Sequence, residues 1–240
     1  RFYTPEERAE LETELYNVER AAAAAEELKG QYTKLMTGLC QMKDIRTSLR
    51  RCAAGETPDH VELFEIKGYL QRLDGLRPLL AEIDAVTHFK GIALHDPKPA
   101  LAILDPDGTG SRGFYIPDSA TAKLKEIRQA KKDVEERLFK AATDAEKDDL
   151  RLKRTRLCAD EDAEEMHVRK AMGAALAPMV DDLLADAETS GRLDFIVQKA
   201  LFAVRFGGIR PEITDGELEL TDMINPEICD LLDQQGRRFV

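Results

Sequence analysis

What the chain lacks narrows the field first. Its four cysteines, Cys40, Cys52, Cys158 and Cys229, are far apart, and no C-x-x-C pair occurs. That spacing reads as a reduced, cytoplasmic protein with incidental thiols, not as a disulfide scaffold or a thiolate metal site. No apolar run approaches the roughly 20 residues of a membrane span, and no secretory signal opens the chain, so no membrane partner is expected. Tryptophan is absent. The phosphate-cradling G-x-x-x-x-G-K-[ST] loop is absent too, and no serine or cysteine sits in a recognisable nucleophile motif. No catalytic residue, no cofactor-binding residue and no metal ligand is therefore assigned, and the chain is read as not an enzyme. His60, His88, His95 and His167 are scattered and read as surface or half-buried histidines.

What is present is charge and helix-forming composition. Of 240 residues, 43% are hydrophobic and 34% charged, which allows a core in one large domain or two small ones. Alanine, leucine, glutamate, lysine and arginine abound, which points to helix. The formal net charge of −11 makes the chain as a whole a poor non-specific nucleic-acid binder, although a local basic patch can still contact phosphate. The sequence opens on Arg1 and not on methionine, so a piece of something longer is expected.

Periodicity predicts one long helix over 4–53. Thr4 is its cap, Pro5 takes its first position, and Leu11, Leu15, Val18, Leu28, Leu35 and Leu49 fall among its stripe. A second helix starts near Thr57, with Pro78 expected to kink or break it. Ala100–Leu104 and Phe114–Ile116 read as two short strands around a glycine-rich turn. From Asp118 or Ser119 a helix runs without proline or glycine to about residue 157. Leu124, Ile127, Val134, Leu138, Ala141, Ala145 and Leu152 stand on its a and d positions, with Lys131 and Asp148 as exceptions. Such a rod of roughly 55 Å needs a partner, and 160–206 supplies one. The expected class is mainly α: long helices, an antiparallel lever-like helical pair and one small β-hairpin. The expected divisions are a helical core over 1–117, the paired helices over 118–206 and a return segment over 207–240 with a short helix near 226–232.

Two familiar patterns overlap in LDPDGTGSRGFYIP. Gly108-x-Gly110-x-x-Gly113 fits the dinucleotide fingerprint, but its last glycine leads into Phe-Tyr-Ile-Pro instead of opening a helix. Asp105-x-Asp107-x-Thr109-Gly110 resembles an EF-hand opening, yet its twelfth position is Ile116, where calcium needs a carboxylate. Neither chemistry is expected, and the loop is read as structural. One charge feature stands out. Arg151, Lys153, Arg154 and Arg156 put four cations into six residues, followed by Asp160-Glu161-Asp162. Either this is the tip of a helical hairpin kept soluble by ion pairs, or it contacts phosphate.

Glu62-Leu63-Phe64-Glu65-Ile66-Lys67, then Phe114-Tyr115-Ile116-x-Asp118-Ser119-Ala120-x-x-x-Leu124-x-x-Ile127-Arg128, resembles the core (lever) region of MutS-family ATPases. The returning Leu193-Asp194-Phe195-Ile196-x-x-Lys199-Ala200, followed by Arg210-Pro211-Glu212-Ile213, is similar to the stretch where the second lever descends toward the ATPase domain. The resemblance implies a coupling module of a DNA-repair or recombination ATPase. It also implies DNA, the chain's own ATPase domain and a second copy as partners, with ATP and magnesium bound by the parent protein and not by this stretch. The departures are as clear. There is no Phe-x-Glu mismatch-reading motif and no β-rich clamp insertion between Leu138 and Met166. On this resemblance Arg151, Lys153, Arg154 and Arg156 are the expected DNA-facing residues. The alternative expectation is a stand-alone helical scaffold for protein–protein contacts.

Overall fold

The computed structural model describes residues 3–214, 216, 219–221 and 223–237, and in it the chain is mainly helical. The α-helices are α1 (Arg8–Ala23), α2 (Lys29–Cys40), α3 (Arg46–Ala53), α4 (His60–Thr87), α5 (Lys98–Leu104), α6 (Ala122–Lys140), α7 (Asp144–Leu176), α8 (Val180–Phe206) and α9 (Pro226–Gln234). They distribute over two compact units. One gathers Arg1–Cys40, Pro78–Ala93 and Thr189–Val240, the other Gln41–Arg77 and Leu94–Glu188.

The predicted helix over 4–53 is three helices. Glu7 accepts from the Thr4 backbone N–H at 2.9 Å, so the capping role of Thr4 holds, followed by a 3-10 turn over Pro5–Glu7. Between α1 and α2 the ladder loosens into turns where Ala24, Ala25 and Leu28 are all buried. Between α2 and α3, Asp44 accepts from the Arg46 backbone N–H at 3.1 Å and grips its guanidinium at 2.8 and 2.6 Å. An aspartate that bonds the backbone two residues on competes with continuing helix. Bound to Arg46 by these contacts, the Asp44 carboxyl is held down to about 2.

Pro78, in contrast, does not end α4, which runs on to Thr87. Proline inside a helix costs about 3 kcal/mol. The buried stripe continues on both sides of it, through Leu70, Leu73 and Leu76 and then Leu80 and Ile83, and that burial outweighs the lost hydrogen bond.

The predicted β-hairpin is not there: no strand occurs among the described residues. Lys98–Leu104 is α5, because Pro99 falls in its first turn, where a helix tolerates proline, and Ala100 and Leu104, one turn apart, bury one face. A five-residue apolar run cannot be told from helix by periodicity alone. Phe114–Ile116 is extended but unpaired; Ile116 is buried and Tyr115 exposed.

The second unit holds a continuous apolar cluster. Ile45 and Leu49, then Leu63, Ile66, Leu70 and Leu73 of α4, meet Leu104, Ile116, Leu124, Met172 and Leu176. Gly173 lets α7 come close here, since a Cβ at that position would stand 2.9 Å from Pro58. In the first unit Tyr32 is buried and donates its hydroxyl to the Ala21 carbonyl at 3.0 Å, and Arg20 donates to the carbonyls of Val86 and Thr87 at 2.9 Å each.

Candidate nucleic-acid interface

The four cations flagged in the sequence lie on α7, and the turn before α7 sets their place. The predicted rod from 118 to 157 is broken at Ala141–Thr143, so the antiparallel pair is α6 against α7. Thr143 caps α7, its hydroxyl accepting from the Glu146 N–H at 3.3 Å. The sequence Thr143-Asp144-Ala145-Glu146 is a Thr-x-x-Glu capping pattern, a start signal that needs neither proline nor glycine. Thr121, and not Asp118 or Ser119, caps α6, accepting from Leu124 N–H at 3.0 Å after a 3-10 turn over Asp118–Ala120.

Arg151, Lys153, Arg154 and Arg156 thus fall on the second to fourth turns of α7, about 10–20 Å along the axis from the turn and not at it. All four are exposed. Arg151 pairs with Asp148 at 3.0 Å, and Arg154 reaches across to Glu135 of α6 at 2.8 Å. Glu135 raises the Arg154 pKa further. Lys153 and Arg156 have no ion-pair partner among the described residues. Residues two apart on a helix stand about 200° apart, so Arg151 with Arg154 and Lys153 with Arg156 occupy opposite flanks. The segment is cationic all round its exposed surface instead of presenting one patch. Buried Leu150 fixes which side of α7 meets α6.

The opposite end of the same helical pair is organised differently. Arg128 of α6 is buried and donates in every direction. Nε bonds Glu161 at 2.9 Å and Nη2 bonds Glu165 at 2.7 Å. Nη1 bonds the Tyr115 hydroxyl, the Ile116 carbonyl and Asp118 at 2.7, 2.8 and 2.5 Å. The guanidinium also lies 4.9 Å from the Tyr115 ring centroid. Burial opposes its charge, but its bonds with Asp118, Glu165 and Glu161 outweigh that and raise its pKa. Lys131 joins Glu161 as well, and Glu164 accepts from Thr121 at 2.8 Å and pairs with Lys123 at 2.9 Å. Burial works to raise the Glu161 carboxyl, yet Lys131 and Arg128 bring it below its ordinary value; Lys123 and Thr121 do the same for Glu164. Asp118 is lowered by Arg128. The sequence motif that contains Arg128 assigns it no role. Its heptad position beside the Lys131 exception was the available signal.

The glycine-rich loop is likewise used up internally. Asp105 accepts from the N–H groups of Thr109 and Gly110 at 3.2 and 2.8 Å and from the Thr109 hydroxyl at 2.9 Å. Gly110 takes φ of 63°, which only glycine adopts freely. Lys67, its side chain 3% exposed, stands 3.5 Å from Asp105 and donates to the Gly113 carbonyl at 3.2 Å. The donors that a dinucleotide pyrophosphate would need are held by the chain's own carboxylate.

All four cysteines are free, and no group of three or more metal-ligating side chains occurs among the described residues. No described helix is long and apolar enough to cross a membrane. No protein-family model matches the chain, and no curated protein matches it.

Proposed function

We propose that the chain is a coupling module of a MutS-like DNA-repair or recombination ATPase, linking nucleotide state elsewhere to DNA engagement along α7. In this reading the chain performs no chemistry itself. The parent protein binds ATP and magnesium in its own ATPase domain, works as a homodimer and resides in the cytoplasm. The observation that carries the reading is the α6/α7 pair. A buried arginine fastens its base to 115–118, while exposed cations line α7 farther out. A pair fastened in that way rotates as a rigid body, which is what transmission between two sites requires.

The DNA half of the proposal is tested by anisotropy titration of labelled duplex DNA against the chain over a range of salt concentrations. Removing phosphate contacts reduces the slope of log affinity on log salt by about 0.9 per contact. Lys153→Glu with Arg154→Glu is expected to weaken binding and flatten that slope. An unchanged slope removes α7 as the DNA-facing surface.

A second reading has an observation of its own. Phe195, Phe202, Val204 and Ile209 are 48%, 54%, 54% and 91% exposed, and α9 leaves Ile228 and Leu231 half-exposed. Exposed apolar surface of this kind marks contact with other proteins, as a helical scaffold requires. Sedimentation of the purified chain discriminates: tight self-association favours the scaffold, and a stable monomer counts against it.

A further inference from the structure

A cleft of about 350 Å³ in the second unit lies between α4, the glycine-rich loop and the stretch joining α2 to α3. It has nothing to do with the α6/α7 pair. Phe64, Gly68 and Arg72 line it at four-residue steps, so one face of α4 forms its wall while Leu63, Ile66 and Leu70 of the other face are in the core. Lys43 and Arg112 come in from the two flanking segments, and Glu65 stands beside Phe64.

Three cations against one carboxylate is unusual in a chain of net charge −11, and the nearby carboxylates are committed elsewhere. Asp44, next to Lys43, is bound by Arg46. Asp105 is held by Thr109, Gly110 and Lys67, and Asp107 accepts from Ser119 at 3.2 Å. Arg72 has only the Gly68 carbonyl, at 3.1 Å, and no ion pair; Lys43 and Arg112 have no ion pair either among the described residues. The loop that carries Arg112 is held in place, because Gln71 donates to the Ser111 carbonyl at 3.0 Å. Gly68 forms the floor of the cleft, and a Cβ there would stand 3.4 Å from Arg72 Nη1, against the guanidinium. Phe64, 46% exposed, presents a ring at its edge.

We propose that this cleft binds a nucleoside phosphate. The phosphate sits on Arg72, Arg112 and Lys43, since unpaired guanidinium groups match phosphate oxygens. The base stacks on Phe64, an aromatic face being a sequence-tolerant platform for any base. Glu65 can only accept hydrogen bonds, so it favours adenine, whose amino group offers two N–H donors, over uracil, whose single ring N–H is flanked by two carbonyl oxygens that repel the carboxylate. The volume suits one nucleotide and falls at the small end of ligand pockets. The same chemistry is offered by a free nucleotide and by one unit of a single strand, and the experiment separates them.

Calorimetric titration of the full 240-residue chain with adenosine 5′-monophosphate, uridine 5′-monophosphate and a short single-stranded oligo(dA) tests the proposal. Saturable binding of the adenosine nucleotide is expected, with the uridine nucleotide weaker. Lys43→Glu with Arg112→Glu is expected to lose at least about ten-fold in affinity. Gly68→Leu fills the floor without changing charge, and leucine favours helix over glycine; it too should lose binding, with the melting curve preserved. If the double variant unfolds, Gly68→Leu still decides. Oligo(dA) binding about ten-fold or more tighter than the mononucleotide assigns the cleft to a strand, and the reverse assigns it to a free nucleotide. Absence of saturable binding by all three probes at millimolar concentration, or affinity unchanged in a folded Gly68→Leu variant, overturns the proposal. Neither result bears on the cations of α7, which these variants leave intact.

Discussion

The two ends of the α6/α7 pair carry similar residues and use them in opposite ways. At the base, Arg128 and Glu164 are buried and Glu161 is partly buried, and each charge is met by an opposite one at hydrogen-bond distance. Toward the other end, Arg151, Lys153, Arg154 and Arg156 stand in solvent, two of them with one exposed partner each and two with none. The difference teaches that burial decides what a cation is for. A desolvated arginine must be paired and becomes a structural bolt, whereas an exposed one is held by little and stays available to a partner.

Breaking the bolt should have the largest effect. Arg128→Ala strands Asp118, Glu161 and Glu165 around an empty position, and removing one partner of a buried charge network costs about 3–5 kcal/mol. Urea unfolding measures it. Arg128→Lys should restore only part, because an ammonium lacks the planar fork.

Acid should attack the same end next. Asp118, Glu161 and Glu164 all have folded-state pKa values below their ordinary ones. Their stabilisation is therefore present above the ordinary carboxylate range of about 4 and is lost as pH falls through the lower folded values. Hydrogen exchange at low pH should show the α6 N-terminal half opening before the remainder of the core. In the Arg128→Ala variant that acid-specific step should shrink to what Lys131 with Glu161 and Lys123 with Glu164 still supply.

Smaller still is the loss of a cap. Thr121→Ala removes the α6 N-cap and one of the two partners of Glu164, a change of about 1–2 kcal/mol in thermal melts. At the exposed end, Glu135→Ala frees Arg154 and should leave thermal melts nearly unchanged, since a solvent-exposed ion pair is screened by water. A cost comparable with that of Arg128→Ala would erase the contrast between the two ends.

The helical class was legible because composition and the apolar stripes agreed over long stretches. The single helix expected over 4–53 breaks at buried Ala24–Leu28 and at Asp44, where packing and a side-chain bond compete with propensity. Pro78 shows the converse, a local breaker overridden by burial. The turn at Ala141–Thr143 was readable in the Thr-x-x-Glu pattern but hidden by a heptad frame that ran straight through it. α5 failed for lack of length: five apolar residues carry no period. Of the candidate site, the four cations were visible as a charge run, but their split onto two flanks needed the helix and its register with α6. Arg128 could not be read as a bolt from sequence, since its partners stand 10 to 37 residues away.

Coupling to an ATPase is the central claim, and the gene tests it most directly. Reading the codons beyond Val240 should reveal a G-x-x-x-x-G-K-[ST] motif within about 30–60 residues. A stop codon at that point would contradict the coupling account and leave the helical scaffold as the better reading.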